Sequence, residues 1–536
     1  MRYIFPQLGI LLLFSSPLTA VTSETSEPSV PENPLSEEKL SCKEGICLLK
    51  NPSWFEGDAL TPCGLNLMNL LENSDDQGLQ SSLYRPLIKN LRENPQSKTP
   101  TQWNTLLNQA LRHYLSWAMG MRKNLTNFDT TTHLIPQPIQ QSDVENLVCA
   151  QDRAEIEKIG PLHPQALHLK RLLTFYLKKR EEGGWPCLPV DFSIAVGQSD
   201  KKIELLKMQL ERQGYSIPED PSVSPIVFHP GIQKTLRLFQ LDHSLDPSGK
   251  LNQASIKELN KSVDERIDQV RLNLERWRWL PPTFQGRSLM VNIPTYQITL
   301  LDGETPVKEM SIIVGKTTSQ TPSFATSLSV VTLNPSWSVP DSIATQEKLP
   351  FFRRNPQKAY AYKITSRQTG ERVSPSEINW NSLSKGHFPY HLELDPGHNN
   401  PLGPIKFTIP NPFAIYMHGT TIPKLFEKPK RAFSWGCIRI VDPFLLAEFV
   451  LNSPQWTKNH LEKAVATRKT NSLRPPEKVS VYLTYFTLWM GPEGRTRFAP
   501  DVYQKDPQVL SALNKQLALS ATFLEEDLAK NSPTPP

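Results

Sequence analysis

Long apolar runs are the first thing this chain lacks. Beyond the first twenty of its 536 residues, no stretch is long and apolar enough to span a bilayer. No run of Lys and Arg is dense enough to argue for nucleic acid, although the net charge is +6. That charge is spread through the chain. A mild basic bias suits an acidic polymer, and it is also common on soluble proteins. Cysteine is scarce, with six in all: Cys42, Cys47, Cys63, Cys149, Cys187 and Cys437. No CxxC pair with partner histidines occurs, so nothing here argues for zinc. With 38% hydrophobic and 21% charged residues the chain is mostly globular, and its length suits about three to four domains. Proline is abundant instead, with 49 residues, which favours loops and linkers over long helices.

The first twenty residues read as an export signal. Arg2 supplies the positive start, Leu8 to Phe14 the short apolar core, and Leu18-Thr19-Ala20 a small-residue end. The apolar run falls far short of the ~18 residues of a span, so cleavage is expected rather than anchoring, with the mature chain starting near Val21. No cysteine follows closely, which argues against a lipid-modified amino terminus. Export favours disulfides. Cys42 and Cys47 are close enough to pair locally, and Cys149 with Cys187 is a candidate second bridge, though sequence does not settle connectivity. If Cys437 is reactive, at least one other cysteine stays unpaired.

Residues 21–60 are rich in Ser, Pro and Glu and read as a flexible linker. From 61 to 195 the period is helical. Trp103, Leu106, Leu107, Ala110, Leu111, Tyr114 and Leu115 recur at three- and four-residue spacings, as do Leu169, Leu172, Leu173 and Tyr176 before Gly183-Gly184. Residues 198–262 form a smaller unit, with helices expected at Ile203 to Gln213, at Gly231 to Phe239 and after Asn252. The turn Asp246 to Lys250 separates the last two. The period then changes to two. "RSLMVNIPTYQITLLDG" alternates and turns at Asp302-Gly303, opening a β-rich domain over 285–503. Within it, 341–398 loses the strand signal and reads as an insertion, of the kind that acts as a lid or binding element. Residues 504–536 end the chain as a helix and a frayed tail. The expected fold class is multidomain α+β, with helical units followed by a mainly β domain.

Chemistry concentrates around Cys437. His418 closes the strand "PFAIYMH" and precedes Gly419-Thr420; "SWGC" follows at Ser434 to Cys437, then Arg439. Asp442-Pro443 is good helix-start chemistry. Cys437 can be read as a structural thiol, half of a disulfide, or a nucleophile. A free thiol of pKa ~8.5 is only a few per cent ionised at neutral pH. A neighbouring imidazole accepts the proton and a cation such as Arg439 favours the thiolate. Gly436 lets the backbone approach closely and suits an oxyanion hole of backbone N–H groups near Trp435, Gly436 and Cys437. Period two puts Tyr416 on the same side as His418. His387, His391 and His398 lack a carboxylate or cysteine at ligand spacing and read as solvent-facing rather than metal-binding.

"IYMHGTTIPKLFEKPKRAFSWGCIRIVDP" closely resembles the L,D-transpeptidase motif: His-Gly-Thr, a loop, then Ser-x-Gly-Cys-[Ile/Val]-Arg, with residues 419 to 433 between His418 and Ser434. "IIVGKTTSQTP", "LNPSWSVP", "PGHNNPLGPIKF", "YLTYFTLW" and "YLKKREEGGWPCLP" resemble the large periplasmic branch of that family. "GIQKTLRLFQLDHSLDPSGKLNQASIKELN" resembles a small three-helix peptidoglycan-binding domain, departing from it at Ser248 and Asn252. Most of residues 100 to 510 is covered. The resemblance implies a helical scaffold, a peptidoglycan-binding domain, and a catalytic domain with an inserted capping subdomain. It implies Cys437 as nucleophile, His418 as general base, and Gly436 with its neighbours as the oxyanion hole. Ser434, Arg439 and Gly419 would hold the motif loop and position substrate, and Tyr416 and Trp337 would line the cleft. Trp435 stands where the commonest motif form has a second histidine. The implied activity is periplasmic 3→3 cross-linking of peptidoglycan stem peptides through a Cys437 thioester, with no cofactor and with wall-synthesis proteins as candidate partners. An L,D-carboxypeptidase and a non-catalytic wall-binding scaffold are the alternatives.

Overall fold

The computed structural model describes residues 40–43, 46–49, 54–118, 131–134 and 163–516. The expected signal at 1–20, Cys149 and the tail after 516 lie outside the described residues. No helix among the described residues is long and apolar enough to cross a membrane.

Two expectations change at the amino-terminal end. The stretch read as linker to residue 60 already carries structure: Leu40–Lys43 and Ile46–Leu49 pair antiparallel. Trp54 is buried, its backbone N–H donating to Asn104 Oδ1 at 3.0 Å and its Nε1 to Asn108 Oδ1 at 2.9 Å. One large aromatic body with both N–H groups satisfied is enough to tie down a segment of unpromising composition. The proposed Cys149–Cys187 bridge also fails. Cys187 is a free, exposed thiol, whereas Cys63 is disulfide-bonded.

The scaffold packs α1 (Pro62–Glu72), α2 (Arg85–Glu93), α3 (Pro100–Ala118) and α4 (Pro164–Glu181). Thr61 caps α1, accepting from the Gly64 N–H, and Pro62 occupies its first position. The apolar stripe of α3 is its buried face, from Trp103 to Leu115. A smaller unit follows: α5 (Lys202–Arg212), α6 (Pro230–Asp242) and α7 (Gln253–Leu259), around Leu206, Leu236, Phe239 and Ile256.

Between scaffold and sheet runs α8 (Val263–Trp277), opened by a Ser262–Glu265 capping box. It is buried on nearly all sides, and its polar groups are therefore paired. Asn273 donates from Nδ2 to Thr487 Oγ1 at 3.0 Å and accepts from the Thr487 N–H at 2.9 Å. Arg276 pairs with Asp506 at 2.7 Å, and Trp279 Nε1 donates to Glu275 at 2.9 Å.

The main sheet comprises β1 (Arg287–Asn292), β2 (Gln297–Asp302), β3 (Thr305–Gly315), β4 (Ser323–Ser327) and β5 (Val330–Leu333) in its first half. Then β6 (Trp337–Ser338), β7 (Tyr362–Ser366) and β8 (Tyr390–Leu394) form a separate three-stranded sheet in the order β6-β8-β7. With α9 (Leu349–Arg354) they enclose their own core of Phe352, Ile364, Trp380 and Leu392. The strand signal fades there because each strand buries only one or two residues and shows polar side chains otherwise.

The main sheet resumes with β9 (Ile405–Thr408), β10 (Met417–His418), β11 (Ala432–Ser434), β12 (Ile438–Ile440), β13 (Asn471–Leu473) and β14 (Ser480–Thr484). Its twelve strands run β13-β5-β9-β10-β12-β3-β2-β1-β14-β4, with β11 on β3 and Thr132–His133 of the scaffold at the far edge. Two helices, α10 (Pro443–Leu451) and α11 (Lys458–Ala466), pack on it.

Replacing Asn273 with Ala removes two bonds to Thr487 and leaves its buried N–H unpaired. We expect a loss of about 1–3 kcal/mol in urea unfolding. No loss would mean that α8 and the sheet are not coupled through this residue.

Candidate active site

Three neighbouring strands build the site. In the antiparallel β9–β10 pair, Lys406 lies opposite His418 and Phe407 opposite Met417. In the parallel β10–β12 pair, Met417 lies beside Ile438 and His418 beside Arg439. Side chains alternate faces along a strand. Phe407, Met417 and Ile438 therefore fall on one face and are fully buried in the sheet core. Lys406, His418 and Arg439 form a row on the other face. Cys437 sits one residue before β12, at the end of this row.

The turn that carries Cys437 is tightly held. Ser434 Oγ donates to the Cys437 carbonyl at 2.5 Å and accepts from the Gly436 N–H at 3.1 Å. Thr321 Oγ1 donates to the Gly436 carbonyl at 2.7 Å, and the Lys316 N–H to the Ser434 carbonyl at 2.9 Å. Gly436 has φ +113°, in the region that favours glycine. A side chain there would also meet Ile415 Cδ1 at 2.9 Å. One sequence expectation changes as a result. The Gly436 N–H is engaged by Ser434, so it is not available as an oxyanion donor, and Gly436 acts through its backbone conformation. Among the described residues, no partner engages the Cys437 N–H.

Cys437 is a free, partly exposed thiol, directed at the Ala414 carbonyl at 3.9 Å. Desolvation pushes it above the ordinary thiol value. The Tyr416 N–H, the Tyr416 phenol, and the charges of Lys406 and Arg439 pull the other way. Ala414 itself has φ +57°, a strained conformation for a residue with a Cβ. Asn411 supports that bend: its Oδ1 accepts from the Ile415 N–H at 3.1 Å and its Nδ2 donates to the Ile415 carbonyl at 2.7 Å.

His418 is buried, and burial pushes it down to about 3, with Arg439 and Lys406 adding repulsion. The carbonyls of Gly419 and Leu402 oppose that fall. Its Nδ1 is buried without a hydrogen-bond partner. The ring is therefore neutral at physiological pH and has a lone nitrogen to offer. The Gly419 N–H donates to the Ile405 carbonyl at 3.0 Å, and a Cβ there would crowd Pro404 and Pro443. Its role is to let these segments approach closely.

Tyr416 and Trp337 both reach the site. The Tyr416 ring lies 5.6 Å from the His418 ring, and its phenol, pushed up by burial, hydrogen-bonds with Trp337 and faces Cys437. Trp337 is buried in the core of the inserted segment. It is a core residue of that segment that also contacts Tyr416.

Sequence reasoning missed three residues. Lys406 stands opposite His418, with its Nζ 4.5 Å above the Tyr416 ring. Glu347, in the π-helical turn Ala344–Lys348, accepts from Trp435 Nε1. Lys316 Nζ lies 3.4 Å above the Trp435 ring. The alternation in "GPIKFTIP" marks Lys406 as facing away from the core. Nothing local in the sequence marks the other two. His387 and His398 are exposed, and His391 hydrogen-bonds with Ser338 Oγ at 3.1 Å.

Comparisons with known proteins bear on the domain that holds these residues. Residues 286–468, which contain His418 and Cys437, match the L,D-transpeptidase catalytic domain family, and residues 50–173 match a scaffold domain family. A Haemophilus influenzae protein, named as a candidate L,D-transpeptidase, is 32% identical over 260 residues, covering 48% of this chain and 52% of that protein. The chain thus spans about half the length of that curated relative. An L,D-transpeptidase crystal structure from Xylanimonas cellulosilytica aligns with 56% of this chain and 99% of its own at 10% identity. Its TM-score of 0.16 is too low to bear on the fold. Over residues 286–468 the chain is thus similar to L,D-transpeptidase catalytic domains.

A neutral imidazole beside an un-ionised thiol has a pH signature. In a Cys187→Ser background, which removes the exposed thiol, alkylation of Cys437 by iodoacetamide should climb only in the alkaline range. No step should appear near the ordinary histidine value of ~6.5. A reactivity plateau extending below neutral pH would instead indicate a preformed thiolate–imidazolium pair. Gly436→Ala must hold a positive φ and is expected to cost about 1–3 kcal/mol and to slow alkylation. Unchanged thermal unfolding and alkylation would refute the conformational role of Gly436.

Proposed function

We propose that this protein is a periplasmic L,D-transpeptidase that forms 3→3 peptidoglycan cross-links through a thioester on Cys437. The observation that carries this reading is the row on β9, β10 and β12. It sets a buried neutral histidine with an unpartnered Nδ1 beside the strand that the free thiol precedes, inside the matched catalytic domain.

The donor is a tetrapeptide stem. The Cys437 sulfur attacks the carbonyl joining the third residue, a diamino acid, to the terminal D-alanine. His418 Nδ1 takes the thiol proton as the S–C bond forms, so no thiolate needs to stand in advance. The developing oxyanion is met by the Cys437 N–H. As the tetrahedral species collapses, the C–N bond breaks and His418 returns the proton to the leaving amine. D-Alanine departs and a thioester remains. The side-chain amine of another stem then attacks the thioester carbonyl, giving its proton to His418. The C–S bond breaks, and His418 reprotonates the sulfur. Water in place of the amine gives L,D-carboxypeptidation.

The inserted segment between β6 and β9 is read as a cap over this cleft, since its Trp337 and Glu347 touch Tyr416 and Trp435. Residues 198–262 are read as a wall-binding unit that brings the catalytic domain to polymer. Export through the amino-terminal signal places both in the periplasm.

The test is incubation with tetrapeptide-bearing muropeptides, read by mass spectrometry beside a Cys437→Ala control. A cross-linked dimer lacking one D-alanine, absent in the control, is expected. Tripeptide alone would mean hydrolysis. Unchanged substrate with no thioester would leave a non-catalytic wall-binding scaffold.

A further inference from the structure

The row across β9, β10 and β12 holds more than a base. His418 stands between two cations, Lys406 on one neighbouring strand and Arg439 on the other. Both are partly buried. Among the described residues, neither makes an ion pair or a hydrogen bond through its charged end, and Arg439 Nε is buried without a partner. Glu347, whose charge Arg439 also feels, is held by the Trp435 indole. Lys406 is steered toward the cleft by the Tyr416 ring beneath its Nζ. Two half-buried cations with no direct ion-pair partner among the described residues are costly, and a site that keeps them invites an anion. Neither is needed to hold the thiol turn, which Ser434, Thr321 and Lys316 already fix through their own hydrogen bonds.

We propose that Lys406, together with Arg439, binds the free terminal carboxylate of the donor peptide and makes the enzyme selective for a chain end over an internal or amidated bond. This inference rests on the transpeptidase reading above. The geometry follows from the bond that breaks. His418 must hand its proton to the leaving nitrogen, and in a terminal amino acid the carboxylate is bonded to the carbon next to that nitrogen. The carboxylate therefore falls beside the imidazole, where the flanking strands place Lys406 and Arg439. An anion bound there also offsets the repulsion that His418 meets when it carries the proton. Lys406 is thus a specificity residue that touches the leaving group, and its lateral position leaves the thiol turn unchanged.

The test compares two donors, one ending in D-alanine and one in D-alaninamide, for wild type, Lys406→Met and Lys406→Arg. Thioester formation on Cys437 is followed by mass spectrometry, with iodoacetamide alkylation across pH run alongside. Wild type should favour the carboxylate donor by about tenfold to a hundredfold in kcat/KM. Lys406→Met also removes a charge that favours the thiolate, which slows both donors equally; beyond that shared effect only the carboxylate donor should slow further, erasing most of the preference, and Lys406→Arg should restore it. Equal use of both donors by wild type would overturn the inference and leave the transpeptidase reading intact. So would a Lys406→Met variant that slows both donors by the same factor and keeps the wild-type preference, since Lys406 would then act through the thiol alone. No thioester from either donor in wild type would instead defeat the transpeptidase reading itself.

Discussion

The parallel pairing of Met417–His418 with Ile438–Ile440 is the constraint on which the rest of the site depends. It is only two residues long on β10, yet it sets which side chains share a face. Met417 and Ile438 go into the core; His418 and Arg439 go to the cleft. A slip of one residue would send the histidine inward and a methionine toward the thiol. The pairing is locked from both sides, by β9 across from β10 and by β3 across from β12. Burial of Phe407, Met417, Ile438 and Ile440 makes any other register expensive.

Charge around the base is arranged to keep it neutral. Burial and two cations disfavour a proton on His418. Desolvation raises the thiol as well, while Tyr416, Lys406 and Arg439 favour its anion. Neither group is ionised at rest. That arrangement protects a free thiol from oxidation, because the reactive thiolate is scarce.

Trp435 joins the two halves of the cleft. Its indole N–H goes to Glu347 of the inserted segment, and its face lies against Lys316 of the main sheet. A second bridge runs from Trp337 to Tyr416. Both contacts are small, so the inserted segment, with its separate core, is free to be rigid in itself while resting on few points. The helix α8 does the opposite: it is buried nearly all round and tied by Asn273 and Arg276 to the segment after β14. The scaffold is therefore fastened to the sheet through the segment that follows β14.

Much of this was legible in the sequence because it is local. The helices of the scaffold and of the small unit follow from apolar residues at three- and four-residue spacing, as α3 shows from Trp103 to Leu115. The thiol turn and the histidine are written as short motifs, and Gly436 must be glycine for the φ that it adopts. Other features depend on residues far apart in the chain, which no local pattern brings together. Trp54 is fastened by asparagines some fifty residues on, so composition misread it as linker. The disulfide expectation for Cys187 failed because closeness in sequence does not decide which sulfurs can meet. The sequence alone determined that a cysteine, a histidine and an arginine would share one motif. Only the tertiary structure decided that Ser434 occupies the Gly436 N–H, and that Lys406 faces His418, because strand register and hydrogen-bond partners are set across the sheet rather than along the chain.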